Sequence, residues 1–413
     1  MEKLPGRHAQ ILVLMLVVLG TTAQCQSEPR VDPESGRIRL LVVGEQNGGN
    51  LYVMSVIRSD PRIRHYATVL AGAGADLDEA KRQARIYTPR TRERFVSSID
   101  VINFLDAPPW GFTDAQQEWI RDGIYQIGMG LVLVEMGWHS CNYAWWHCNR
   151  PDIWMTSPIY AAWPVDAVLE KTVRPSVYAD IIESSPVVDL PGFEKQPYGG
   201  PAHNTGLLIA RPGSTVHARW RVGKEDAIVS ARYGQGTTLN LPTGWDCLSP
   251  LMMRNWKYFV DFILNSLYQA AQVPVPDDPE LAHTLRAGFI QFDEQRTLML
   301  HLIDFIDKFG ANTAPLHEML DELVVESRGA TGFYLEGEYS RSWEAIQEAL
   351  EGLTRITEES TRLRQKALFW VYVTEWLSIS GTSMACGFVL WTVMVRRRYY
   401  REVQSTRLDS RVS

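Results

Sequence analysis

Glu135, His139, Cys141, His147 and Cys148 fall within fourteen residues of one another, interleaved with Trp138, Trp145 and Trp146 and followed by Trp154. Three chemistries use such a set. A zinc ion takes His and Cys ligands, but the spacings here, C-x6-C and H-x7-H, match no common metal-binding pattern. A hydrolase would use Cys141 or His139 with Glu135, one group activating the other as nucleophile and base. A disulfide between Cys141 and Cys148 would close a short Trp-rich loop, and this reading, with loop packing, is favoured over a ligand pocket and over a metal. Five cysteines are present. Cys386 lies in an apolar segment, which leaves Cys25, Cys141, Cys148 and Cys247, and four cysteines allow three pairings.

A second polar, glycine-rich stretch runs from Gly44 through Glu45 and Asn47 to Asn50. It lacks the G-x-G-x-x-G and G-K-[ST] forms that cradle phosphate, so it reads as a turn rather than a nucleotide loop. No cofactor is expected.

These groups stand at the ends of short apolar runs. Arg37 to Val43, Tyr66 to Ala71, Ser98 to Leu105 and Leu131 to Glu135 are predicted strands, and Leu51 to Arg58 a helix. Thr113 with Gln116 three residues later has the spacing of a capping box. It starts a helix that runs to about Ile127 and stops at Gly128-Met129-Gly130. Strand, helix and strand with short connections predict a parallel sheet flanked by helices. Leu207 to Ala210, Thr215 to Val222, Ala227 to Tyr233 and Thr237 to Leu241 read as further strands of the same sheet. The apolar helix Asn255 to Ala271 closes the domain. Ligands of such sheets bind outside the carboxyl ends of the strands. Glu45, Asn47, Asp106, Glu135, Trp138, His139 and Asp246 are therefore expected to converge as a candidate ligand-binding crevice.

Residues 99–140, IDVINFLDAPPWGFTDAQQEWIRDGIYQIGMGLVLVEMGWHS, and 230–246, SARYGQGTTLNLPTGWD, carry a resemblance. The order of a buried strand with an aspartate, a T-D-x-Q helix, a glycine turn, an apolar strand and a Gly-aromatic-His-Ser loop resembles the class I glutamine amidotransferase-like superfamily. Its often non-catalytic amidotransferase-like branch and its trehalose-utilisation-like relatives look nearest. The resemblance covers roughly 36–272 and implies an α/β fold, a flavodoxin-like doubly wound, mostly parallel sheet. Active members carry a nucleophilic cysteine in a G-x-C-x-G turn and a His oriented by a Glu. Here the turn reads Val134-Glu135-Met136-Gly137-Trp138-His139, with no cysteine at the nucleophile position, and no histidine occurs between Gly236 and Trp256. His317-Glu318 falls in a helical region instead. No catalytic residue is assigned, and the chain reads as a pseudoenzyme.

Pro274 to Pro279 is a linker, after which helix formers dominate. Helices are predicted at 281–309, 315–335 and 340–372, a stalk over 281–371, and the Gly-containing turn within 330–350 reads as an ordinary helical hairpin. Residues 1–23 have the cationic start, the apolar run from Ile11 to Gly20 and the small residues of a signal peptide, with an uncleaved anchor as the alternative. Trp376 to Val395 carries no charge and is followed by Arg396-Arg397-Arg398. A transmembrane helix over 372–395 and a basic cytoplasmic tail over 396–413 are expected, with the large N-terminal domain outside the cytoplasm. Gly381 and Ala385 are four apart, on one helix face, where a second copy could approach. A net charge of −7 with no basic cluster outside the tail gives no case for nucleic acid as a partner, and none is expected. Of 413 residues 45% are hydrophobic, enough to bury a full core. The expectation is a single-pass, membrane-anchored, ligand- or partner-binding module. The alternatives are an exported hydrolase of an amide or sugar-derived substrate, and a structural subunit of a membrane complex.

Overall fold

The computed structural model of the chain describes residues 29–44, 54, 56–70, 77–105, 107, 109–134, 154–173, 178–196, 204–241 and 256–409. They form two compact units. One extends up to Arg286 and includes Tyr334–Tyr339; the other holds Ala287–Phe333 and the chain from Ser340 onward.

The first unit is a mixed α/β sheet of eight strands. β1 (Ile38–Gly44), β2 (Ile63–Leu70), β3 (Val101–Leu105), β4 (Gly130–Val134) and β10 (Gly236–Leu241) lie parallel in the order β2-β1-β3-β4-β10. β9 (Asp226–Tyr233), β8 (Thr215–Trp220) and β6 (Ala179–Ile181) extend that sheet by antiparallel pairing. Every residue of β3 and β4 is buried, because parallel strands are covered on both faces and their sequences read as unbroken apolar runs.

The period of two along each strand divides the core into two layers. Leu40, Val42, Val101, Val132 and Leu239 face one layer, where Phe262, Ile263 and Leu267 of α4 (Phe259–Ala270) cover them. Leu41, Val43, Ile102, Phe104, Leu131 and Leu133 face the other. There they meet Ala84 of α1 (Leu77–Tyr87), Phe95 of α2 (Arg92–Ser98) and Ile120 and Ile124 of α3 (Asp114–Ile127). The capping box is formed. Thr113 Oγ1 accepts from the Gln116 N–H at 3.3 Å, and the Gln116 side chain accepts from the Thr113 N–H at 3.0 Å. At the amino end of the sheet the buried Asp100 takes two hydrogen bonds from the Arg39 guanidinium, both 2.8 Å, and forms an ion pair with Arg30 at 3.2 Å.

Two expectations need correction. α1 and α2 were not foreseen, since LDEAKRQARIY and RERFVSS show few apolar positions. Leu207–Ala210 does not join the main sheet. It belongs to β7 (Asn204–Ala210), which pairs antiparallel with β5 (Val165–Val173) in a separate two-stranded sheet, because β8 occupies the other edge of β9.

The second unit is helical, built from α5 (Pro279–Asp307) beyond Arg286, α6 (Ala314–Glu336) up to Phe333 and α7 (Tyr339–Asp409). α5 and α7 pack closely, since a Cβ on Gly288 would lie 3.1 Å from the Trp343 ring and 3.3 Å from Ile346. α7 runs 71 residues without a proline. Among the described residues it is the helix long and apolar enough to cross a membrane, and its apolar stretch is not buried against the rest of the chain.

Candidate functional site

The carboxyl ends of the parallel strands line up. Leu70 pairs with Gly44, Gly44 with Leu105, Leu105 with Val134, and Val134 with Leu241. Glu45, Asn47, Asp106, Glu135, Trp138, His139 and Asp246, and the cysteines 141 and 148, lie outside the described residues. The segments that carry them nevertheless leave the sheet from Gly44, Leu105, Val134 and Leu241, four residues paired along one edge. β1 and β3 approach closely there: a Cβ on Gly44 would stand 2.7 Å from the Leu105 carbonyl oxygen, so only glycine fits.

Beneath that edge, on the α3 side, aromatic rings form a floor. Phe104, next to last in β3, meets Trp154 edge-on at 5.0 Å, Trp154 meets Trp163 at 5.2 Å, and Trp163 meets Tyr160 at 5.1 Å. Arg211 holds this group together. Its guanidinium lies 4.4 Å from the Tyr160 ring, donates to the Tyr160 and Trp163 carbonyls at 2.8 and 3.0 Å, and pairs with Asp166 at 2.7 Å. Gln117 ties the turn after β3 to the same floor: its amide donates to the Pro109 and Phe112 carbonyls, and it accepts from Ser157 at 2.6 Å.

Two strand residues are polar where every neighbour is apolar. Asn103 lies between Val42 and Val132 on the α4 side of the sheet, and Asn240 beside Leu133 and Val229 on the α3 side. Both are fully buried, and neither the oxygen nor the nitrogen of either amide has a hydrogen-bond partner among the described residues. An unpaired buried amide costs about 1–3 kcal/mol, and such groups are rare in folded proteins. The indole Nε1 of the buried Trp163 likewise has no partner among the described residues. The sequence signal for the amides was a single Asn inside the runs VINFL and GTTLNL, which the strand assignment passed over.

Single atoms of Ser185, Gln269 and Arg286 in this unit are also buried without a partner among the described residues, whereas the ring of the buried His217 is engaged. His217 Nε2 and Ser230 Oγ are 2.8 Å apart, with His217 Nδ1 3.4 Å from the Glu183 carbonyl oxygen. Burial pushes the His217 pKa down, which favours the neutral ring. With a backbone carbonyl and no carboxylate at Nδ1, the pair lacks the orienting group of a hydrolytic triad.

At the amino side, Asp60, Asp261, Tyr268, Arg286 and Tyr334 form a buried cluster. Arg286 bonds Asp261 at 2.6 Å and lies 3.4 Å from Asp60, and Tyr268 donates to Asp60 at 2.8 Å. Burial works against the Arg286 charge, but the oxygens of Tyr334, Tyr268, Asp60 and Asp261 outweigh it and hold the guanidinium above its ordinary pKa. Arg62 donates to the Tyr334 and Leu335 carbonyls at 2.7 and 2.8 Å, which fixes residues 334–339 to this unit. Sequence reasoning missed this cluster. Among the described residues no three His, Cys, Asp or Glu side chains are grouped as a metal site.

No protein-family model and no curated protein matches the chain. Solved structures do. A cytoplasmic protein of Salmonella typhimurium LT2 aligns at 17% identity over 56% of this chain and 99% of its own, with a TM-score of 0.43. A second cytoplasmic protein of Salmonella typhimurium aligns at 15% identity over the same shares, with a TM-score of 0.43. An exo-β-1,4-mannosidase of Opitutaceae bacterium strain TAV5 aligns at 9% identity over 58% of this chain and 36% of its own, with a TM-score of 0.32. Likeness at this level assigns neither a family nor an activity.

Proposed function

We propose that the chain is a membrane-anchored binding protein whose α/β unit, held outside the cytoplasm, takes a small polar ligand at the carboxyl edge of its parallel sheet and performs no catalysis on it. One observation carries the reading: four strand ends are aligned at that edge, and two buried amides, unpaired among the described residues, lie one and two residues in from it. An amide offers two donors and an acceptor, so ligand groups of either kind would find a partner there.

The strand order β2-β1-β3-β4-β10, with helices on both faces, supports a flavodoxin-like, doubly wound sheet and the amidotransferase-like resemblance. In that arrangement the edge is where ligands sit. The missing elbow cysteine supports binding without turnover. The exposed apolar stretch of α7, followed by Arg396-Arg397-Arg398, supports one span with the tail in the cytoplasm.

The test uses the full chain in mild detergent, screened against polar metabolites by thermal shift. Some of them are expected to raise the melting temperature of the wild type and not of Asn103→Leu. The same preparation is then treated with a thiol label before and after reduction. Cys141 blocked until reduced agrees with a structural disulfide; rapid labelling at neutral pH marks an activated thiolate and moves the hydrolase reading to first place.

A further inference from the structure

Within the helical unit, the turn between α5 and α6 and one face of α7 enclose a cavity of about 450 Å³. Phe309 and Asn312 line it from the turn, and Lys366, Ala367, Trp370 and Thr374 from α7. The volume lies in the range of small-molecule sites. The lining is unusual for a solvent-facing groove, because Phe309 and Trp370 are both exposed, at 37% and 57%. Phe305 meets Phe309 edge-on at 4.8 Å, and Phe369 meets Trp370 edge-on at 6.0 Å, so the rim is aromatic on both sides. Lys308 is engaged by Asp304 at 2.7 Å, whereas Lys366 makes no ion pair among the described residues.

The position of this cavity along α7 says what fills it. The charge-free segment begins at Trp376. At 1.5 Å per residue, Thr374 stands about 3 Å, Trp370 about 9 Å and Lys366 about 15 Å before it. If α7 crosses a bilayer there, the cavity opens at headgroup depth, where Trp and Tyr concentrate and where a lysine stem reaches down to phosphate. The face that carries Lys366, Trp370 and Thr374 continues at helical spacing to Ser378, Gly381 and Ala385. A Cβ on Gly381 would meet nothing within 4 Å, so this face offers room for an extended chain below the cavity.

We propose that the cavity is a binding site for one phospholipid of the outer leaflet. The Lys366 ammonium takes the phosphate, Asn312 bonds the headgroup, Phe309 and Trp370 clasp the glycerol, and an acyl chain descends past Gly381. The inference rests on the reading that α7 spans a membrane, and it adds a specific lipid partner to it.

The experiment is native mass spectrometry of the full chain in mild detergent, titrated with a phosphatidylglycerol of defined chain length. It is run beside alkaline extraction of membranes that contain the same protein. One lipid per chain is expected to bind saturably. Lys366→Gln and Trp370→Ala are each expected to weaken it about tenfold, with helicity by circular dichroism unchanged and the protein still in the membrane pellet. Equal lipid binding by wild type and both variants, with the protein still pelleted, overturns the lipid site and leaves the span standing. Release of the protein by alkali overturns both. Displacement of the lipid by inorganic phosphate alone at equal concentration would make the site one for free phosphate, and the lipid assignment would be wrong.

Discussion

The hydroxyl of Tyr334 lies 3.0 Å from that of Tyr268, and both reach the buried carboxylate of Asp60, at 3.1 and 2.8 Å. Burial and the neighbouring Asp60 raise the Tyr268 pKa well above its ordinary value, so both phenols keep their protons and serve as donors. Arg286 pairs with both Asp60, at 3.4 Å, and Asp261, at 2.6 Å. Removing one member of such a set leaves the others buried and uncompensated. Arg286→Leu is expected to cost about 3–5 kcal/mol and Tyr334→Phe about 1–3 kcal/mol, read from urea unfolding of the full chain in mild detergent. Losses below about 0.5 kcal/mol for both, the size of an ordinary surface change, would show that the cluster does not hold the unit together.

Asn103→Leu separates stability from function. The amide has no partner among the described residues to lose, and leucine has nearly the same shape, so the ligand-free protein should gain about 1 kcal/mol or more in stability. A binding residue that strains the empty protein behaves this way. A drop in melting temperature would mean that the amide is structurally satisfied, and the binding role assigned to it would fall.

His217 makes stability depend on pH in a definite direction. Burial holds its folded pKa below the 6.5 of a free imidazole. Below that value the unfolded chain takes up protons that the folded one refuses, so stability is complete above about pH 6.5 and falls as the pH drops toward the folded pKa. His65 is shifted the same way, also by burial first. His217→Gln should therefore flatten part of the decline, measured as unfolding midpoint against pH from 7.5 down to about 5. An unchanged slope would contradict the assignment.

Cys386 is free and exposed on α7, about 15 Å along the helix from Trp376. In intact membranes it should resist a charged maleimide and react once detergent dissolves the bilayer, as read by peptide mass mapping. Fast reaction in intact membranes would put this stretch in water and remove the span.

What could be read without coordinates was local. The runs Ile38–Gly44, Val101–Leu105 and Gly130–Val134 are apolar from end to end, which is what a strand covered on both faces requires. Thr113 and Gln116 announced α3 because a cap needs only four residues. The three long helices showed in composition, with α7 continuing through the apolar stretch to Asp409. The rest depends on distance along the chain. Asp60 and Tyr334 are 274 residues apart, and nothing near either one marks the other as its partner. β5, with VDAVLEKTV, mixes charges into its run and became a strand only because β7 was there to pair with it. For the candidate site, the strand ends were legible and so was their common edge, whereas the burial of Asn103 and Asn240 without partners among the described residues emerges only when both faces of the sheet are packed.

A helix of 71 residues is about 105 Å long, and α7 has no proline at which to bend. It is therefore a shaft. A twist applied near Ile346 or Ile356, where it packs in the helical unit, meets no proline before Arg396, so a helix that stays straight would carry it to the basic residues at the far end. If the aromatic and small-residue faces of the span are gripped by lipid, that grip becomes the bearing in which the shaft turns.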